Sequence, residues 1–156
     1  MNKQLTINYQ EYGSMAEMPS DDRELLEQAV GAAQGAYAPY SQFHVGAAVR
    51  LADGRVVCGS NQENAAYPSG LCAERTAIFA ASAQYPQMRD YTAIAIVGMD
   101  AEGRLCEASP CGACRQVLDE YEQQQGHPMR VICYVSERCV RIFSSVGDLL
   151  PFGFKF

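Results

Sequence analysis

A chain of 156 residues, 48% apolar and 19% charged, is long enough to bury one substantial core and has the make-up of a folded globular domain. Its net charge of -6 argues against a surface built to grip nucleic-acid phosphates. No apolar run reaches the length of a membrane span, and the first twenty residues, with Glu11 and Glu17 and no apolar centre, lack a signal-peptide pattern; the expected address is the cytoplasm, with no membrane partner.

Residues 1–19 mix polarity without periodicity and are expected to form a loosely held N-terminal arm to a domain of residues 20–156. Ser20 followed by Asp21, Asp22 and Glu24 suits a helix start, because acids there complement the helix dipole, and Leu25, Leu26, Ala29, Val30 and Ala33 recur at helical spacing. A helix over 21–37 is predicted. The apolar runs 44–51 and 55–59, joined through Asp53-Gly54, predict a hairpin. A helix over 72–84 precedes a continuous apolar run over 91–98, the pattern of a strand buried on both faces. A loop over 99–109 leads to a helix over 111–124, stopped by Gly126 and Pro128; strands over 130–135 and 139–143 and a short turn at 146–150 follow. This order defines an α/β domain with helices packed on a mixed sheet.

Two short stretches carry chemistry. In Cys72-Ala73-Glu74-Arg75 a thiol, a carboxylate and a guanidinium fall together between a Pro68-Ser69-Gly70 turn and a helix-forming run. In Pro110-Cys111-Gly112-Ala113-Cys114 two thiols three apart share one face of a helix that proline is suited to start. Thiols at helix N-termini are biased toward thiolate, so Cys72, Cys111 and Cys114 can converge on one ion. Three protein ligands leave a fourth position for water, as a catalytic rather than a structural zinc site does. Glu74 is then placed to transfer protons without ligating. Three thiolates around Zn²⁺ leave a formal charge of about -1, which blunts its acidifying power. Arg75 and the two helix N-termini are the expected remedy, drawing electron density from the sulfurs. Any one of these residues alone reads as core or as a helix-start acid; the combination carries the signal. The remaining cysteines, Cys58, Cys106, Cys133 and Cys139, read as small buried hydrophobes, and His44 and His127 are not needed as ligands.

Four blocks, 37–43, 61–68, 72–77 and 110–116, resemble the small, homotetrameric, zinc-dependent cytidine deaminases in content and order. The resemblance implies a three-layer α/β/α fold with a mixed, mostly five-stranded sheet, one Zn²⁺ per subunit, and hydrolysis of cytidine and 2'-deoxycytidine to the uridines with release of ammonia. It further implies that Asn61 and Glu63 hydrogen-bond the ribose, that Phe43 and Ala73 line the nucleoside, and that Ala65, Tyr67 and Phe154 reach a neighbouring subunit's site. Gln62 departs from the aliphatic residue common at its position, and the arm and tail differ in length. Three other readings compete: a blasticidin-type aminonucleoside deaminase, a nucleic-acid-editing deaminase disfavoured by charge and by Cys72, and a zinc-stabilised binding module without turnover.

Overall fold

A computed structural model describes all 156 residues. Strands β1 (Tyr9–Tyr12), β2 (His44–Leu51), β3 (Val56–Ser60), β4 (Tyr91–Met99), β5 (Leu105–Cys106), β6 (Arg130–Ser136) and β7 (Cys139–Phe143) form one seven-stranded sheet in the order β1-β7-β6-β4-β2-β3, with β5 added beside β4. Only β4 and β6 run parallel, which needs a crossover, and the helix between them supplies it. Helix α1 (Ser20–Ala33) covers one face; α2 (Ala73–Gln84) and α3 (Gly112–Gln125) cover the other. The alternation is visible within β2: Ala47, Val49 and Leu51 point toward α2 and α3, whereas Ala48 points toward α1. Strand β4 is buried on both faces, as its unbroken apolar run predicts.

The three-layer architecture is as expected, but seven strands replace the five. One addition comes from the arm, which is not loose throughout. Tyr9–Tyr12 pairs antiparallel with β7, Tyr9 packs its ring 5.6 Å from that of Phe143, and Arg141 bonds Glu11 at 3.1 Å. What orders this strand is the open edge of β7, at the far end of the sequence, so no local periodicity announces it. The other addition, β5, is two residues long.

Helix α1 stops at Ala33 rather than at residue 37. Tyr37 leaves the helix because its backbone is claimed elsewhere: its N–H donates to the Asn61 carbonyl at 3.0 Å and its carbonyl accepts from Glu63 N at 2.8 Å. Of the four non-motif cysteines only Cys133 is buried, and burial pushes its thiol up to about 12; Cys58 is exposed, and Cys106 and Cys139 are half-buried. Their positions near sheet edges and turns explain the difference, since apolar strand surroundings in sequence do not guarantee a covered face.

Close helix–sheet approach fixes where α2 begins. A Cβ on Gly59 of β3 would collide with Ala77 N and lie 2.8 Å from Ala73 O, so only glycine lets the first turns of α2 rest on the strand. Gly46 plays the same part for α1, where a Cβ would run into Ala29 O.

Candidate active site

Cys72 and Cys111 occupy the N-cap positions of α2 and α3, both with extended backbone, and Cys114 lies in the first turn of α3. The three sulfurs lie within 4.8 Å of one another, with Cys72 and Cys111 3.9 Å apart. Tetrahedral coordination at a Zn–S bond of about 2.3 Å separates neighbouring sulfurs by roughly 3.8 Å. The donor set and its spacing therefore fit zinc, and the three-ligand count expected from sequence is what the fold assembles.

The electrostatics agree. The Cys114 thiol, hydrogen-bonded to Cys72, and the Arg75 guanidinium, whose Nη2 donates to Cys72 Sγ at 3.3 Å, hold the Cys72 thiol well below its usual range. Cys114 is pushed up because it is the donor to that sulfur and is itself buried. Cys72 is therefore the sulfur of the three most inclined to the thiolate form, and binding of an ion at such a set displaces thiol protons. Arg75 is held charged by the same sulfur, and its Nε is buried without a partner, so the Nη2 bond to Cys72 is the anchor of the guanidinium at this site. Such an arrangement lowers the electron density that the sulfurs return to a metal.

Glu74, the second residue of α2, is 4% exposed, and burial raises its carboxyl to about 7. It lines a cavity of about 320 Å³ together with Phe43, Val45, Asn61, Cys72, Ala73, Glu107, Ala108, Ser109 and Cys111. An adjoining cavity of about 450 Å³ shares Asn61 and Cys72 and adds Glu63, Tyr67 and Arg75. The structure thus brings together Cys72, Ala73, Glu74, Cys111, Phe43 and Asn61, with Cys114 behind the first sulfurs. Glu63 and Tyr67 stand next door. Phe154 is exposed and lies beside Leu150 and Phe152, away from both cavities of its own chain, and Ala65 is exposed on the 61–68 segment and lines neither.

The wall formed by Glu107, Ala108 and Ser109 is not foreseen from the sequence. These residues sit in what reads as a connecting loop; Ala108 N donates to Tyr134 O at 3.2 Å, and that non-local bond turns the segment toward the cavity. Equally unforeseen is the part Asn61 plays in its own fold. Its Nδ2 donates to Phe43 O at 2.9 Å and its Oδ1 accepts from Val45 N at 2.7 Å. Glu63 likewise accepts from Tyr40 N at 2.9 Å, from Ser41 N at 3.3 Å and from the Ser41 hydroxyl.

Three converging sulfurs able to hold one zinc ion, with a buried carboxyl beside them, are the donor set of hydrolases that work on water through a single metal ion. Residues 19–127 match the family model described as the cytidine and deoxycytidylate deaminase zinc-binding region. A cytidine deaminase of Mycobacterium tuberculosis is 38% identical over 141 residues, spanning 88% of this chain and 92% of its own length. Another, from Halalkalibacterium halodurans, is 47% identical over 100 residues, 64% of this chain and 71% of the relative. The crystal structure of cytidine deaminase from Burkholderia pseudomallei superimposes with a TM-score of 0.73 at 42% identity, covering 88% of this chain and all of that one. The chain belongs to the zinc-dependent cytidine deaminase family.

Proposed function

We propose that this chain deaminates both cytidine and 2'-deoxycytidine in pyrimidine salvage, as a cytoplasmic homotetramer whose sites are shared between subunits. The observation that carries the reading is Glu74: a buried carboxyl standing in a nucleoside-sized cavity beside three convergent sulfurs, with no ligating duty of its own.

Cys72, Cys111 and Cys114 would hold the zinc ion, which would supply a water acidified toward neutrality. Burial keeps the Glu74 carboxyl near the midpoint between its two protonation states, which suits a group that takes a proton and gives it back. It accepts the proton of the attacking water and delivers it to N3 of the pyrimidine, then takes the proton of the hydroxyl now on C4 and passes it to the leaving amine. Water and cytidine become uridine and ammonia, and the carboxylate returns to its starting state. Ala73 and Phe43 wall the base, and the sugar lies along the edge lined by Asn61 and Glu63.

Support for sharing between subunits is the exposure of the groups assigned to it: Tyr67 is 78% exposed and Phe154 71%, large rings that a lone chain leaves in water. A spectrophotometric assay with cytidine, 2'-deoxycytidine and blasticidin S, run beside metal analysis and sedimentation, tests the reading. Turnover of both nucleosides with one zinc per chain is expected; turnover of the antibiotic alone favours the aminonucleoside reading, and bound zinc without turnover favours a binding module.

A further inference from the structure

We infer that α3 is the rack on which the C-terminal segment is laid, and that Arg115 and Gln116, the two residues after Cys114, act as positioning residues by fixing where Phe154 stands. Residues 115, 116, 119 and 122 are three or four apart and share one face of the helix, and that face meets the segment in succession. In the last turns Glu122 accepts from Val146 N at 2.8 Å, from Gly147 N at 3.3 Å and from the Ser145 hydroxyl. Nearer the start, the buried Asp119 leaves no room above it: a Cβ on Gly153 would meet Asp119 Oδ2 at 3.0 Å and Leu150 Cδ2 at 3.0 Å. In the first turns Arg115 Nη1 donates to Leu149 O at 2.9 Å, and Gln116 Nε2 donates to Phe154 O at 3.2 Å. The chain thus runs back along α3 toward its sulfur end.

The segment needs such a hold because it has little order of its own. Beyond Leu149 it forms neither strand nor helix, and Phe152 stands in the left-handed region at φ 57°, a conformation side chains resist. The rings of Phe152 and Phe154 face water, so burial of apolar surface does not pin them. Arg115 also ties the course of the tail to the metal end: its Nε donates to Pro110 O at 2.8 Å, the carbonyl just before Cys111. One planar guanidinium therefore spans the entry to a sulfur ligand and the point from which the tail departs, a reach that a single ammonium does not reproduce. Where the Phe154 ring serves a neighbouring subunit, α3 supplies sulfur to one site and sets the aromatic wall of another. That consequence rests on the shared-site reading above; the hold on the tail does not.

Hydrogen exchange of the zinc-loaded enzyme, read by mass spectrometry over residues 148–156, is the direct test. The Gly153 amide bonds Leu150 O at 3.1 Å, so its exchange reports whether the tail stays down. Gln116→Ala removes only the tail contact and is expected to speed that exchange by about three- to tenfold, the worth of one hydrogen bond, with zinc content and exchange in β4 unchanged. Arg115→Ala is expected to speed it further and to weaken zinc as well, because the brace at Pro110 goes with it. Unchanged exchange in both variants overturns the inference whatever the substrate proves to be. With cytidine, Gln116→Ala is expected to raise KM by a similar factor with kcat within about twofold, and to have no further effect in a Phe154→Ala background, where no ring is left to place. A KM effect of equal size with and without the Phe154 ring overturns the inference. Faster exchange with KM unchanged upholds the hold on the tail and counts against the shared site instead.

Discussion

Cys72 and Cys111 stand at the N-cap positions of helices that rest directly on the sheet, whereas Phe43, Asn61 and Glu63 stand in segments fastened mainly by hydrogen bonds between residues 37–45 and 61–63. The metal end of the cavity thus takes its geometry from packed backbone, with Gly59 setting how near α2 can come. At the rim, each polar side chain has one role in the fold and a second proposed toward substrate. The difference predicts that changes at the metal end abolish the chemistry while leaving most of the fold intact, and that changes at the rim alter affinity and shape together.

The largest expected effect is at Glu74. Glu74→Gln keeps size and burial but removes the proposed proton carrier, so turnover of cytidine is expected to fall by at least ~10²–10⁴-fold with zinc content unchanged. Metal analysis beside steady-state kinetics checks it, and a Gln variant that kept both zinc and turnover would break the assignment. Cys114→Ser is expected to remove zinc and activity together, with loss of thermal stability as well, because its sulfur is fully buried against the other two. Chelation of the parent enzyme should reproduce the activity loss and zinc addition should reverse it.

Arg75→Gln sharpens the comparison because it touches the metal end without removing a ligand. The guanidinium bonds Cys72 Sγ at 3.3 Å, and its loss is expected to lower turnover by about 10–100-fold or to weaken zinc by a similar factor. Unchanged kinetics and zinc affinity would show that the two helix N-termini suffice to offset the thiolate charge.

The same division governs what the sequence discloses. Cys72, Glu74, Cys111 and Cys114 are legible because helix starts are local events: a Pro-Ser-Gly turn, a proline, and sulfurs three apart on one helical face place them with no knowledge of the fold. Strand β4 and the β2–β3 hairpin are legible for the same reason. Glu107 is not, since a bond from Ala108 N to Tyr134 turns its segment toward the cavity, and β1 is not, since its partner β7 lies at the far end of the chain. Helical periodicity overextends α1 because nothing local to Tyr37 reveals that Asn61 and Glu63 claim its backbone.

The smallest expected effect on catalysis lies on the opposite face of the sheet, at an ion pair with one buried partner and no connection to the site. Asp22, 2% exposed in the first turn of α1, receives Nη1 and Nη2 of Arg130 at 2.7 Å each, a two-point clamp from β6 to the helix. Asp22→Asn leaves one carbonyl to face two donors and removes the charge that Arg130 answers. Because the arginine is partly open to water, the cost is that of a charged hydrogen bond, about 2 kcal/mol, rather than that of a stranded buried ion. For a chain of this size the melting temperature should fall by about 4–8 °C in scanning calorimetry. Zinc content and kcat for cytidine should stay within about twofold, since distant sites with no shared partners act independently. A loss of turnover matching that of Arg75→Gln would mean that α1 and the metal end are coupled through β2 and β4, and the two-region description would fail at its base.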